Sequence, residues 1–276
     1  MAFFDSAFHS TIPLPARTYA IDQKIAKRNK LRKYGFHGLS YAFITKSVAS
    51  HLQKPADKTN IIALHLGSGC SITAIQNGAS LDTSMGLTPL AGLPGATRSG
   101  DVDPSLIFHF TNHAGDLVPK ATKEMHLTTA EQILNKESGW SALTGTTDFG
   151  TITSKAKDGD EACKLAFDIL VDRLVGYIGS YIVKLGGDID ALVFAGGIGE
   201  KGADLRKAVV DKVAFLGFGL DEGSNKGVGG GDDVVVDIGA KGAKYRVLVC
   251  QTDEQAEMAG QCGGLIPGLE KEVRQK

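Results

Sequence analysis

Ile61-Ile62-Ala63-Leu64-His65-Leu66 runs straight into Gly67-Ser68-Gly69. A short apolar, partly β-branched run closed by glycines reads as a buried strand feeding a tight turn. Beyond it, Ser71 to Ile75 and Ala79 to Thr83 flank Gln76-Asn77-Gly78. Asn-Gly between two strand-like runs signals a hairpin, because both central positions of a type I′ turn need positive φ. A strand, a glycine turn and a hairpin therefore follow one another.

A second unit of the same kind lies further on. From about Glu161 to Leu185, Leu165, Ile169, Leu170, Leu174, Ile178, Ile182 and Leu185 recur at three- and four-residue spacing, which predicts one long amphipathic helix. Gly186-Gly187 stops it. Asp190 to Phe194 then predicts a strand entering Ala195-Gly196-Gly197-Ile198-Gly199-Glu200, with a helix from about Ala203 to Val213. Gly223 to Asp233 reads as a polar surface loop, and Tyr245 to Cys250 as a last strand ending at Gln251-Thr252-Asp253-Glu254. Toward the N-terminus, Tyr41 to Leu52 suits a helix closed by Pro55, and Met1 to Phe4 reads as a strand leading to Asp5. Strands alternating with helices imply an α/β layer architecture.

The 276 residues suffice for one large domain or two ordinary ones, and 42% hydrophobic with 22% charged residues is the composition of a soluble globular protein. A formal net charge of -1 gives no electrostatic reason to expect nucleic acid or an anionic membrane as partner. The local run of Lys24, Lys27, Arg28, Lys30, Arg32 and Lys33 reads as a solvated face. Cys70, Cys163, Cys250 and Cys262 form no CxxC pair, so neither a disulfide scaffold nor a zinc site is indicated. No apolar run could span a bilayer and no signal segment opens the chain, so a cytoplasmic location is expected.

Glycines at Gly67-Ser68-Gly69 and Gly196-Gly197-Ile198-Gly199 let backbone N–H groups approach a ligand, which outlines a phosphate or nucleotide site. Neither is a Walker A loop or a full GxGxxG fingerprint. Asp5 and Glu254 each follow a strand-like segment, where side chains of an open α/β sheet project into the crevice. Such carboxylates suit magnesium, which completes its shell with waters and phosphates. Arg98, in the Gly92-to-Asp101 loop, is a candidate guanidinium for a transferring phosphoryl group. His37 stands between aromatics in Tyr34-Gly35-Phe36-His37-Gly38, a setting that more often holds a satisfied core histidine than a catalytic one.

Five blocks together resemble the acetate kinase family, within the superfamily of sugar kinases, heat-shock proteins and actin. They are Phe4 to His9, Tyr34 to Gly38, His65 to Gly69, Ser84 to Pro89 continuing through Thr97 to Pro104, and Gly196 to Glu200, with Thr252-Asp253-Glu254 near the end. Thr144-Gly145-Thr146-Thr147-Asp148-Phe149-Gly150 is closer to fungal members than bacterial ones. The resemblance implies a ribonuclease H-like (actin-like ATPase) α/β domain with a mixed sheet flanked by helices. It also implies reversible transfer of the ATP γ-phosphoryl group to acetate, giving acetyl phosphate and ADP.

Carried over by position, Asp5 would lie near acetate and metal, and His37 and Arg98 would stabilise the phosphoryl group. Glu254 would help hold magnesium (or manganese). His65, Leu66, Gly67, Ser68, Gly69, Asp148, Phe149, Gly150, Gly196, Gly197, Ile198, Gly199 and Glu200 would cradle the nucleotide. Phe36 and Pro89 would line the acetate pocket, and the chain would pair as a homodimer. Ser68 replaces the family's usual asparagine, and Gly150 stands where bacterial members have a nucleotide-contacting arginine. The Gly150 departure leaves open pyrophosphate as donor, and a related short-chain acyl kinase acting on propionate or butyrate is a separate alternative. The sequence is expected to hold residues 1–20 as the remnant of a first domain and hinge, 21–254 as the nucleotide-binding and catalytic domain, and 255–276 as a C-terminal helix and tail. With the first domain largely missing, impaired transfer or a nucleotide-binding fragment without activity is the further expectation.

Overall fold

The computed structural model describes residues 2–119, 127–230 and 232–265. Its centre is one six-stranded sheet. The strands are β1 (Ile61–Leu66), β2 (Cys70–Gln76), β3 (Ala79–Thr83), β4 (Ala191–Ala195), β5 (Val235–Asp237) and β6 (Arg246–Cys250), in the spatial order β3-β2-β1-β4-β6-β5. The principal helices are α1 (Gln23–Asn29), α2 (Gly38–His51), α3 (Phe149–Lys157), α4 (Glu161–Lys184), α5 (Gly196–Lys201), α6 (Ala203–Val213) and α7 (Glu254–Leu265).

β1, β4 and β6 are parallel, while β2 and β3 fold back as an antiparallel hairpin and β5 pairs antiparallel with β6. The sheet is therefore mixed, as expected. The hairpin turn falls on Asn77 and Gly78, with φ of 51° and 73°, the pair of positive values that a type I′ turn demands.

Strand alternation divides the core in two. Ile62, Leu64 and Leu66 point with Leu192 and Phe194 toward α3, α4 and α6, forming the larger cluster. Ile61 and Ala63 point with Val193 and Leu248 to the other face, which α2 covers with Tyr41, Ile44 and Val48. β1 and β4 are buried on both faces, which explains why they read as continuous apolar runs. α4 starts on the Asp160 cap, whose carboxylate accepts from the Cys163 N–H at 2.9 Å, and its buried stripe includes Leu170, Leu174 and Ile178.

Two expectations fail in detail: Leu165, placed on the long helix's apolar stripe, is 53% exposed, and Glu222–Lys226 forms a short helix at the start of the stretch expected to be loop. Two further corrections touch the site. Ala2 to Phe4 form no strand; Asp5 and Ser6 lie in a turn that leads into a 3-10 helix, Phe8–Thr11. That segment docks on β3 instead, through Thr11 Oγ1 to the Ser80 carbonyl at 2.8 Å and His9 Nδ1 to Ser80 Oγ at 2.8 Å. Apolar residues at Phe3 and Phe4 give a strand signal because four residues cannot distinguish strand from coil, and Phe4 in fact stands 69% exposed. Secondly, the glycine run at Gly196 is no loose turn: α5 begins there directly after β4. Residues 266–276 of the expected tail lie outside the described residues.

Candidate functional site

The parallel strands end in register, and that register builds the site. His65 pairs with Ala195, and Ala195 with Cys250, so three strand ends stand in a row. The Gly67-Ser68-Gly69 turn, the start of α5 and the Gln251-to-Glu254 segment all leave the sheet at this edge. Crevices at the carboxyl ends of parallel strands are where open α/β sheets bind ligands. Sequence motifs separated by well over a hundred residues are thereby brought together.

Close backbone approach explains the glycines. A Cβ at Gly196 would sit 2.7 Å from the Leu66 carbonyl oxygen, so α5 can abut β1 only with glycine there. A Cβ at Gly69 would lie 1.9 Å from Arg98 Nη2, so the arginine's guanidinium occupies the space above the turn. The Arg98 loop is fixed by the Ala96 N–H donating to the Ser68 carbonyl at 2.9 Å, and by Arg98 Nη1 donating to the Pro89 carbonyl at 3.0 Å. Pro89 in turn lies on the segment whose Gly86 carbonyl accepts from the Tyr34 and Gly35 N–H groups, at 3.0 and 3.2 Å. Half-buried Phe36 and Pro89 therefore sit on adjoining segments.

Asp5 reaches the same region by a different route. Its carbonyl oxygen would be 1.9 Å from a Cβ at Gly38, so its backbone rests against the first turn of α2. His37 precedes that helix with φ of 58°, a left-handed conformation uncommon outside glycine. Its ring centroid is 4.4 Å from that of His65, which strand alternation points to the α2 face. His37 Nδ1 is 2.8 Å from Ser71 Oγ, and Ser71 Oγ is 2.5 Å from Tyr41 Oη.

Burial lowers His37 to about 3, and the nearby His65 and Arg98 push the same way. Burial also holds His65 below the ordinary histidine value, against the opposing pull of Glu254, Glu200 and Asp5. Both rings are neutral at pH 7. The three carboxylates act on His65 as charges, which ties Asp5, Glu200 and Glu254 to one electrostatic neighbourhood. Glu254 Oε1 accepts from Ser40 Oγ at 2.5 Å, and Glu200 Oε1 accepts from the Thr252 N–H at 3.3 Å. Among the described residues no three His, Cys, Asp or Glu side chains converge as a metal cage.

Next to this cluster lies a cavity of about 520 Å³, a volume within the usual range for small-molecule sites. Gly67 and Ser68 line one part, Gly197 and Ile198 another, and Asp148, Phe149 and Gly150 a third. Asp148 caps α3, accepting from the Gly150 N–H at 3.0 Å and from Thr151 Oγ1 at 2.6 Å, so its carboxylate is held by its own helix. The Phe149 ring is 4% exposed and packs on Trp140 and Phe167 in the core. Leu66 is fully buried and acts as structure beneath the turn.

Some site features escaped the sequence reading. Thr153, Ser154 and Lys201 also line the cavity, and Lys201 directly follows the glycine motif. Arg206 is 1% exposed and donates from Nη1 to the Gly199 and Glu200 carbonyls at 2.7 Å each, closing the end of α5. Its signal was present in the sequence: it shares the apolar face of Val209, Val210 and Val213, an odd place for an arginine.

A mixed sheet with a glycine-lined cleft across its parallel strand ends defines an α/β domain of the ribonuclease H-like, actin-like ATPase fold. Residues 1–260 match the Acetokinase family, and the chain belongs to that family. It is 61% identical over 274 residues to an Emericella nidulans protein described as "Probable acetate kinase", covering 99% of this chain and 65% of that protein. The crystal structure of Porphyromonas gingivalis acetate kinase superposes with a TM-score of 0.83 at 34% identity, over 93% of this chain and 61% of that one. A propionate kinase from Francisella tularensis gives a TM-score of 0.81 at 37% identity, over 92% of this chain and 62% of that one. The chain thus spans less than two thirds of the length of each of these relatives. Among the described residues no helix is long and apolar enough to cross a membrane.

Proposed function

We propose that this chain carries the catalytic and nucleotide-binding apparatus for reversible phosphoryl transfer between ATP and acetate, giving acetyl phosphate and ADP. The observation that supports this best is the Arg98 guanidinium lying directly over Gly69, at the edge where three parallel strands end. A planar cation beside a glycine turn suits the equatorial oxygens of a phosphoryl group moving between donor and acceptor. His37, neutral, contributes a hydrogen-bond donor to the same group. Asp5 sits on the acceptor side with Phe36 and Pro89 flanking a small carboxylate.

Glu254 is the carboxylate for magnesium. The absence of a three-residue cage among the described residues fits an ion held by one or two carboxylates and by phosphate oxygens. Bound there, the ion would neutralise charge on the phosphate chain. ATP is favoured over pyrophosphate as donor, because a cavity of about 520 Å³ beyond the phosphate turn has room for a nucleoside. Two copies of the chain are expected to pair, which light scattering would reveal.

Trapping acetyl phosphate as the hydroxamate tests the reading. ATP with acetate should give product that depends on magnesium, and Arg98→Gln should abolish it. Turnover supported by pyrophosphate but not ATP would overturn the donor assignment. A higher kcat/KM for propionate or butyrate than for acetate would overturn the acceptor assignment.

A further inference from the structure

A second cavity, of about 410 Å³, lies outside the cleft against α1. Four cations line it, Arg17, Lys27, Lys30 and Arg32, above an apolar floor that includes Leu31 and Tyr34. No acidic residue contributes to the lining. Among the described residues none of the four cations has an ion-pair partner. The adjacent Asp22 is committed to capping α1, accepting from the Lys24 and Ile25 N–H groups at 2.7 and 3.1 Å. Lys33 turns away to Asp82 at 2.6 Å. Four positive charges around one cavity are thus uncompensated, in a chain whose net charge is -1.

The fold holds these charges together rather than letting them spread. Arg32 stacks on the Tyr34 ring, its Cζ 4.7 Å from the centroid, which orients the guanidinium plane. Its Nε is buried and has no hydrogen-bond partner. An unmet buried donor is uncommon in folded proteins and calls for an acceptor. Tyr34 Oη donates to the Lys30 carbonyl at 2.8 Å, and Lys30 itself closes α1 at φ of 55°. The Lys33 N–H binds the Arg17 carbonyl at 2.9 Å, joining the two walls.

We propose that this cavity binds a small anion carrying two or more phosphate groups, at a site separate from the nucleotide cleft. Arginine offers such groups a planar, bidentate donor, and the lysines add mobile point charges. The site also shares backbone with the catalytic region. Tyr34 is three residues before His37, and its N–H holds the Gly86 carbonyl on the segment that carries Pro89.

Inorganic tripolyphosphate in EDTA is the probe, titrated calorimetrically into the full chain. Lysine acetylation footprinting by mass spectrometry locates the bound anion. The expected result is saturable binding that protects Lys27 and Lys30 but leaves Lys24 and Lys241 reactive. Arg17→Gln with Arg32→Gln should weaken binding at least tenfold while leaving ADP binding unchanged. Equal protection of all surface lysines, protection confined to Lys201, or unchanged affinity in the double variant would each overturn the proposal. Tighter binding of a single-stranded oligonucleotide through the same lysines would also overturn it, in favour of a nucleic-acid surface. The footprint on the wild-type chain stands even if the double variant fails to fold.

Discussion

His37 Nδ1 stands 2.8 Å from Ser71 Oγ, and that same oxygen stands 2.5 Å from the buried Tyr41 hydroxyl, so one serine joins the site histidine to the core. Of the two directions these contacts allow, the one that leaves the ring proton on Nε2 has Tyr41 giving to Ser71 and Ser71 giving to His37. With its protonation pushed down to about 3, the imidazole is neutral at pH 7, and in the proposed reaction it would serve as a donor and not as a cation. Ser71→Ala breaks the relay and frees the ring to adopt the other tautomer. Its kcat is expected to fall tenfold or more, a loss of about 1.4 kcal/mol in transition-state stabilisation, with KM for ATP little changed. Tyr41→Phe keeps the Ser71 donor and should cost much less in kcat. Equal losses in the two variants would count against the relay.

Burial of histidines also makes stability depend on pH, with His65 acting in the same direction as the two that shift most. His37 and His9 are lowered to about 3 and about 4 from an ordinary value of 6.5, chiefly by removal from water. As pH falls through 6.5 the unfolded chain takes up both protons and the folded chain takes up neither. Their contribution is therefore complete above 6.5 and is lost progressively down to the folded values. Each histidine adds a slope of about 1.4 kcal/mol per pH unit near pH 5, so the pair gives about 2.7. Urea midpoints measured at pH 7 and pH 5 should show the drop, and replacing His9 with Gln should flatten it. No change in midpoint between those pH values would refute the account.

Much of this was legible in the sequence, and the failures have physical causes. β1 matched to the residue and the hairpin nearly so, because a fully buried strand ending in glycine and an Asn-Gly turn are strong local signals. α4 was legible because 24 residues give a long apolar stripe. The start of α5 was missed since glycines lower helix propensity, and tertiary contact with Leu66 overrides that preference here. The Ser71 relay could not be read at all. Ser71 and Tyr41 are 30 positions apart and meet only because α2 packs on the sheet face that Ser71 shares. The basic run at Lys24 to Lys33 was read as one solvated face, yet Lys33 leaves it to pair with Asp82.

Gly69 and Gly67 offer a contrast within one turn. A Cβ at Gly69 would meet Arg98 Nη2 at 1.9 Å, whereas one at Gly67 has no neighbour nearer than 3.7 Å. The clash at Gly69 is with the far end of a flexible side chain, so the fold can yield by moving the guanidinium. Gly69→Ala should keep its melting temperature within a few degrees of wild type and lose about 100-fold or more in kcat. Gly67→Ala should remain close to wild type in melting temperature, and any loss of activity there would report on the ligand the turn faces and not on Arg98. If the Gly69 variant kept full activity, Arg98 could not be acting from its observed position.

Arg206 shows how a residue outside the cleft sets the position of a motif inside it. Its guanidinium makes four hydrogen bonds of 2.7 Å, to the Gly199 and Glu200 carbonyls and to the side chain and carbonyl of Asn225. None is to a carboxylate, so its charge is balanced by carbonyl dipoles at the C-terminal end of α5. Burial pulls it down to about 10, which still leaves it charged at neutral pH. Arg206→Met would keep much of the side-chain volume and strand those carbonyls without donors. A loss of about 3 kcal/mol in stability is expected, together with a higher KM for nucleotide as α5 shifts against Leu66. Arg206→Lys should not rescue either effect, since a single ammonium cannot reach both Asn225 and α5 in the fork geometry. Chemical denaturation and nucleotide KM measured on both variants would decide the matter: full recovery with lysine would mean that the charge suffices and the fork does not matter.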